Sequence, residues 1–220
     1  MPRASARGVA VFDLDGTITW HDTLARYLGD ALAVHPARIG RLWPLPFILA
    51  RFAIDRDRGA LKSRVIRAAL GGLRRAEVAR LTERFVAARL PSLLRPAALA
   101  AIERHRAAGD YLVLLSASTD FYVQAIGARL GFDEVICTEV RWAAERLDGA
   151  LATANRRGSE KTRCLEALRA RHPGAAITAY GNAGSDLEHL ARADRALLVN
   201  GSNAARRRAR ALGIPAGSWR

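Results

Sequence analysis

Residues 8–17 read GVAVFDLDGT. Gly8 to Phe12 form a short, continuous apolar run, the pattern of a strand buried on both faces of a parallel sheet. Asp13 and Asp15 follow at the strand's end, at i and i+2. Side chains alternate with a period of two, so both carboxylates can face one pocket. Like charges that close are costly without a cation, and oxygen-only ligands suit the hard ion Mg²⁺. Gly16 frees the backbone for a tight turn. Taken alone, the segment also reads as a strand end followed by a helix cap; the segments that repeat its pattern decide between the two.

Residues 111–116 (YLVLLS), 175–181 (AAITAYG) and 196–200 (ALLVN) carry the same signature, with a weaker run at 134–138. Helical patterns lie between or beside them at 97–108, 120–130, 159–171 and 186–192. Strands alternating with helices predict an α/β fold with a parallel sheet built from right-handed crossovers. Ligands of such sheets bind outside the carboxyl ends of the strands, so the polar clusters at 13–17, 116–120 and 181–186 are expected to meet in one crevice. Nearly a hundred residues separate the first strand from the second, far more than one crossover helix uses. The excess predicts an inserted helical domain at 18–96, with the core formed by 1–17 and 97–220. Candidate helices in the insert are 22–33, 37–54, 60–70 and 75–89, broken at Pro36, Gly71-Gly72 and Pro91. Residues 139–155 read as a hairpin, with an Asp-Gly turn signal in Leu147-Asp148-Gly149-Ala150.

Composition bounds the function. The chain has 220 residues, half of them hydrophobic and a quarter charged, which excludes wholesale disorder. Cys137 and Cys164 are too few for a disulfide scaffold and fit a reducing cytosol. The net charge is +14, yet only Lys62 and Lys161 are lysines; every other basic residue is arginine. This excess reads either as a compositional bias or as an attraction for anions such as phosphorylated substrates or anionic lipid. The run Arg206, Arg207, Arg208 and Arg210 reads as a solvated helix face. Aromatic residues make up 6% and do not interleave with the arginines, so no nucleic-acid partner is expected. Residues 1–8 are basic and small, but the apolar run after them ends at Phe12, so no secretory signal core is expected. The most apolar stretch, LWPLPFILA at 42–50, falls short of the ~20 residues of a membrane span. It is expected either to pack inside the insert or to lie in an interface. These features predict a cytoplasmic protein with scope for peripheral contact at the inner membrane face. The five histidines show no metal-ligand spacing, and none is assigned to chemistry.

VFDLDGT, LLSAS, Lys161 opening a helix, and AYGNAGSD are similar, in order, to the four motifs of the haloacid dehalogenase-like (HAD) phosphatases. The helical insert after the first motif resembles the phosphoserine phosphatase-like subgroup. TITWHDTL, the apolar stretch 42–72 and NRRGSEK resemble its phosphatidylglycerophosphatase C-like branch. The resemblance implies a Rossmann-like three-layer core with a small helical cap, and a Mg²⁺-dependent phosphoric monoester hydrolase. Asp13 would be the nucleophile that forms an aspartyl-phosphate, and Asp15 the general acid and base. Ser116 and the Ala117 N–H would bind phosphoryl oxygens, with Ser118 as the competing serine. Lys161 would bridge Asp13 and the phosphate. The metal set would be Asp13, Asp15, Asn182 and Asp186, with Asn182 departing from the family's usual aspartate. Asp22 and Arg64 fall where the subgroup reads its substrate, although Arg64 equally fits a solvated helix face; Lys62 reads as a solvated cap lysine. The implied substrate is phosphatidylglycerophosphate or a related anionic phosphate. A small soluble metabolite such as phosphoserine or a sugar phosphate is the alternative within the class. A non-catalytic phosphate- or nucleic-acid-binding module is the alternative outside it.

Overall fold

A computed structural model describes residues 7–219; most of the basic N-terminal segment read above lies outside them. Six parallel strands form one sheet in the order β3-β2-β1-β6-β7-β8. They are β1 Gly8–Phe12, β2 Tyr111–Thr119, β3 Glu134–Thr138, β6 Ala176–Gly181, β7 Arg195–Val199 and the short β8 Ala216–Gly217. β1 sits between β2 and β6 and is wholly buried, which is why its sequence is apolar without alternation. Its side chains divide between two cores. Ala10 and Phe12 join the layer of α6 (Pro96–Ala108) and α7 (Asp120–Leu130). Val9 and Val11 join the layer of α8 (Ser159–Arg171), α9 (Leu187–Leu190) and α10 (Asn203–Ala211). The result is the expected three-layer, Rossmann-like α/β fold. The arginine run lies on α10, which buries only Ala205 and Ala209 and leaves its guanidinium groups in solvent.

The insert opens and closes through a neck. Thr19 and Leu94 form an antiparallel bridge, flanked by Trp20 N–H donating to Leu93 O and Arg95 N–H to Ile18 O. Arg95 locks this neck: its guanidinium donates to Thr19 O and Trp219 O and lies 4.0 Å over the Trp20 ring. Between the two neck strands lie α1 (Thr23–Val34), α2 (Leu45–Asp55), α3 (Arg58–Leu70), α4 (Arg75–Arg84) and the short α5 (Leu90–Leu93). The single helix expected over 37–54 is two pieces. A 3₁₀ stretch covers Pro36–Leu42, and α2 begins after Pro44, because a proline ring cannot follow a continuing α-helical turn.

The hairpin formed by β4 (Val140–Ala143) and β5 (Arg146–Leu151) turns at Ala144-Glu145, not at the Asp-Gly pair. Gly149 lies inside β5 with φ +85°, and a Cβ there would stand 2.8–2.9 Å from the Arg67 backbone. The glycine therefore serves close approach to α3. The hairpin is tied to the insert by Ser63 Oγ–H donating to Gly149 O and by main-chain bonds of Leu147 with Gly72 and Leu73. In space it continues the cap, although the chain returns to the core on both sides of it.

Candidate active site

The carboxyl ends of β1, β2 and β6 open into a cavity of about 540 Å³ whose far wall comes from α1 and α3. The polar clusters at 13–17, 116–120 and 181–186 meet there, as the topology requires. Lys161 lies in the first turn of α8. Its Nζ donates to Asp13 Oδ1 at 2.6 Å and to Asp186 Oδ1 at 2.9 Å, with all three side chains buried. Asp13 Oδ2 accepts from the Thr17 hydroxyl at 2.9 Å. Asp186 Oδ2 accepts the main-chain N–H groups of Asn182 and Ala183, which clamps the turn after β6. Asp15 is held by three donors: Thr23 N–H at 2.6 Å, the Thr23 hydroxyl at 2.7 Å and the Ser118 hydroxyl at 2.6 Å. Tyr122 OH meets the Thr23 hydroxyl from below at 3.0 Å.

Burial and charge set the protonation of these groups. The Asp13 carboxyl rises to about 6: burial raises it most, Lys161 opposes the rise, and the charges of Asp186 and Asp15 add to it. Asp15 is also raised, by burial and then by Asp22. For Asp186 burial is outweighed by Lys161, then His189, so its carboxyl falls to about 2. Burial opposes the charge on Lys161, but Asp13 and Asp186 overrule it and hold the ammonium well above its ordinary range. His189 is buried behind Asp186, and burial, with Lys161 beside it, lowers the imidazole to about 3.

The donor chemistry suits a hard divalent cation. Asp13, Asp15, Asn182 and Asp186 all line the cavity and bring carboxylate, amide and main-chain oxygens to it. Two buried carboxylates there, Asp13 and Asp186, share a single buried ammonium. Gly16, with φ +80°, keeps its turn open to the Asn182 side chain, which occupies the space a Cβ would need.

Not every expected residue reaches the cavity. Ser116 is fully buried below the wall, where its Oγ accepts the Ser118 N–H. β2 changes register between Leu115 and Thr119, and Ala117 and Ser118 face the cavity instead. Arg64 also points away. Arg58, Leu61, Lys62 and Val65 form the inward stripe of α3, and Arg64 lies off it, 3.8 Å from Asp55. Asp22 lines the mouth and caps α1 by accepting Ala25 N–H.

Lys62 is not a solvated cap lysine. It reaches across from α3 and donates to Ala117 O and to Asn155 Oδ1, and burial lowers its ammonium to about 8. Its scarcity in an arginine-rich chain, shared only with Lys161, was the available signal. Arg58, Arg157 and Asn155 also line the cavity; Asn155 and Arg157 belong to the NRRGSEK stretch singled out above, whereas Arg58 is lost among the chain's many arginines. His21 stands at the mouth. Cys137 and Cys164 are buried and free, with burial pushing the Cys137 thiol up to about 12; neither lines the cavity.

Residues 10–191 match the family model for haloacid dehalogenase-like hydrolases. Protein CicA of Caulobacter vibrioides (strain NA1000 / CB15N) is 34% identical over 193 residues, covering 84% of this chain and 83% of CicA. A protein of unknown function from Bordetella pertussis Tohama I has a similar structure, with a TM-score of 0.79 and 23% identity over 96% of this chain and 98% of its own. A phosphoserine phosphatase solved as a phospho-aspartyl intermediate analogue aligns with a TM-score of 0.63 and 17% identity, covering 92% of this chain and 90% of that one. The two structural likenesses speak for a shared fold.

Proposed function

The chain belongs to the haloacid dehalogenase-like hydrolase family, and from that membership we propose that it is a Mg²⁺-dependent phosphoric monoester hydrolase working through Asp13. The observation that carries this reading is the buried Asp13–Lys161–Asp186 chain, with Asp15 held beside it at the floor of one cavity. An Asp13 oxygen attacks phosphorus and the ester P–O bond breaks, leaving the phosphoryl group on Asp13. Asp15 gives its proton to the departing oxygen; burial raises its pKa, the direction a general acid needs. Asp15, now ionised, takes a proton from water. That water attacks phosphorus, the bond to Asp13 breaks, and inorganic phosphate leaves. Thr23 and Ser118 aim Asp15 throughout, and Thr17 holds Asp13 in place. Lys161 neutralises the phosphoryl charge, and Lys62, Arg58 and Arg157 draw the anion inward. Mg²⁺ held by Asp13, Asp186, Asn182 and the Asp15 carbonyl would orient the phosphoryl group and offset its charge.

The substrate reading follows the walls. The floor is charged, and the insert side sets Leu24, Leu28, Leu61 and Val65 as apolar surface beside Arg58 and Lys62. A phosphate head on an apolar body matches both, which favours an anionic phospholipid such as phosphatidylglycerophosphate over phosphoserine or a sugar phosphate. The experiment is phosphate release, with and without Mg²⁺, from p-nitrophenyl phosphate, lipid monoesters in vesicles and a soluble panel, beside Asp13→Asn. Mg²⁺-dependent release that Asp13→Asn abolishes is expected. Equal rates in both proteins overturn the enzyme reading. A strong preference for soluble esters overturns the lipid one.

A further inference from the structure

The helix α2 has no buried residue. Its half-buried residues, Leu45, Ile48 and Phe52, fall on one stripe, and the helix packs against α3. The opposite stripe repeats at spacings of four, three and four: Trp43, Phe47, Ala50 and Ile54. Trp43 is 73% exposed, Phe47 70% and Ile54 82%, among the largest exposures of any large apolar side chain in the described residues. Trp43 and Phe47 stack edge to face with ring centroids 6.3 Å apart, which joins them into one apolar surface. Ile39 and Leu49, both more than half or half exposed, extend it. Water gains nothing from such a surface, and scattered single residues do not explain five large side chains within sixteen positions.

Charge says what covers it. Residues 36–54 contain no carboxylate. Arg41 and Arg51 flank the stripe and are exposed, although Arg41 also donates to Gly71 O and Arg51 to Asp55; Arg38 turns inward onto Ala69 O and Gly71 O, and Arg56 and Arg58 follow the stripe, against only Asp55 and Asp57. A second copy of this chain docked through the same face would set these arginines against their own equivalents, an unfavourable like-charge contact. A helix with aromatic and aliphatic residues on one side and arginines beside them suits the boundary of an anionic bilayer. There the rings enter the acyl region and the guanidinium groups meet headgroup phosphates. No helix among the described residues is long and apolar enough to cross a membrane, so the contact would be one of surface. We infer that α2 docks the protein onto anionic lipid bilayers, with Trp43, Phe47 and Ile54 inserted and Arg41, Arg51 and Arg56 on the headgroups. The stripe ends four residues before Arg58 of the cavity wall, at most about 14 Å along the chain. Docking therefore brings the cavity's rim to the lipid surface.

Binding needs no turnover, so the inference stands or falls apart from the phosphatase reading. The test is flotation of the full chain with vesicles of phosphatidylcholine, alone or mixed with phosphatidylglycerol, at low and high salt. The mixed vesicles are expected to carry the protein and the neutral ones far less of it, with carriage falling as salt rises. Phe47→Asp with Ile54→Asp is expected to weaken partition at least ~10-fold. Its p-nitrophenyl phosphate hydrolysis and thermal unfolding should match the parent. Tryptophan emission should shift to the blue on binding, and Trp43→Phe should lose that shift. Protein left in solution with mixed vesicles at low salt overturns the inference, as does a double variant that floats like the parent. A dimer that the double variant dissolves, without lipid binding by the parent, overturns it in favour of self-association.

Discussion

The floor of the cavity and the outer face of α2 are built on opposite terms. At the floor the charged groups are buried or half-buried and each is answered: Lys161 by two carboxylates, Asp15 by three donors, Asp186 by two main-chain N–H groups as well as the lysine. On α2 large apolar groups stand in solvent and the arginines are mostly exposed. The first arrangement is costly to desolvate and holds one geometry; removing any partner leaves a buried charge unanswered. The second leaves surface that only another phase or molecule can cover. The contrast separates groups that do chemistry from groups that choose where it is done.

The largest expected effect breaks the floor alone. Asp13→Asn should lower phosphate release by more than about 10³-fold, and Asp15→Asn by about 10²–10⁴-fold, with vesicle binding untouched. A lipid-binding defect in either would dissolve the distinction between the two regions. Next is Lys161→Met, which leaves Asp13 and Asp186 buried without their cation. Denaturant titration should find it about 3–5 kcal/mol less stable. Lys161→Arg keeps the charge but not the compact ammonium, and should cost activity more than stability. An unchanged rate would remove the lysine from the mechanism.

A smaller effect sits behind the floor. His189 titrates near 3 in the fold, below the 6.5 of an exposed histidine, because burial disfavours its charge. As pH falls below 6.5 the unfolded chain takes the proton first, so stability present above 6.5 is lost progressively towards pH 3. The slope is about 1.4 kcal/mol per pH unit at most. Urea titrations across that range in metal-free buffer should show a shallower decline for His189→Gln; parallel curves would mean the ring stays solvated. The smallest effect sharpens the donor set. Asn182→Asp adds a charge to the oxygen ligands and should tighten Mg²⁺ about tenfold by calorimetry. No change, or a loss, would put Asn182 outside the metal's reach.

Much of the floor was legible because strand ends announce themselves. A buried parallel strand needs continuous apolar residues, so the polar residues that follow Phe12, Leu115 and Gly181 stand out. In β2 that reading took the first serine, Ser116, whereas Ser118 lines the cavity. Ser116 and Ser118 differ only in which way β2 turns, and a register shift near Leu115 decided it. Asp148-Gly149 carries the right composition for a turn, but the chain spends that glycine on a close approach to Arg67. On α3, Arg64 and Lys62 are two residues apart, and only the helix's rotation told which one enters the cavity.

The order of elements and the two-sided burial of β1 follow from local patterns, since burial and period leave their mark residue by residue; that Lys161 meets the acids was implied only by the likeness of its motif to the family's. Which serine, which insert cation and which face of α2 meet the cavity or the solvent depended on register and rotation. Those are settled by packing between segments far apart in the chain, and neighbouring residues carry no record of them.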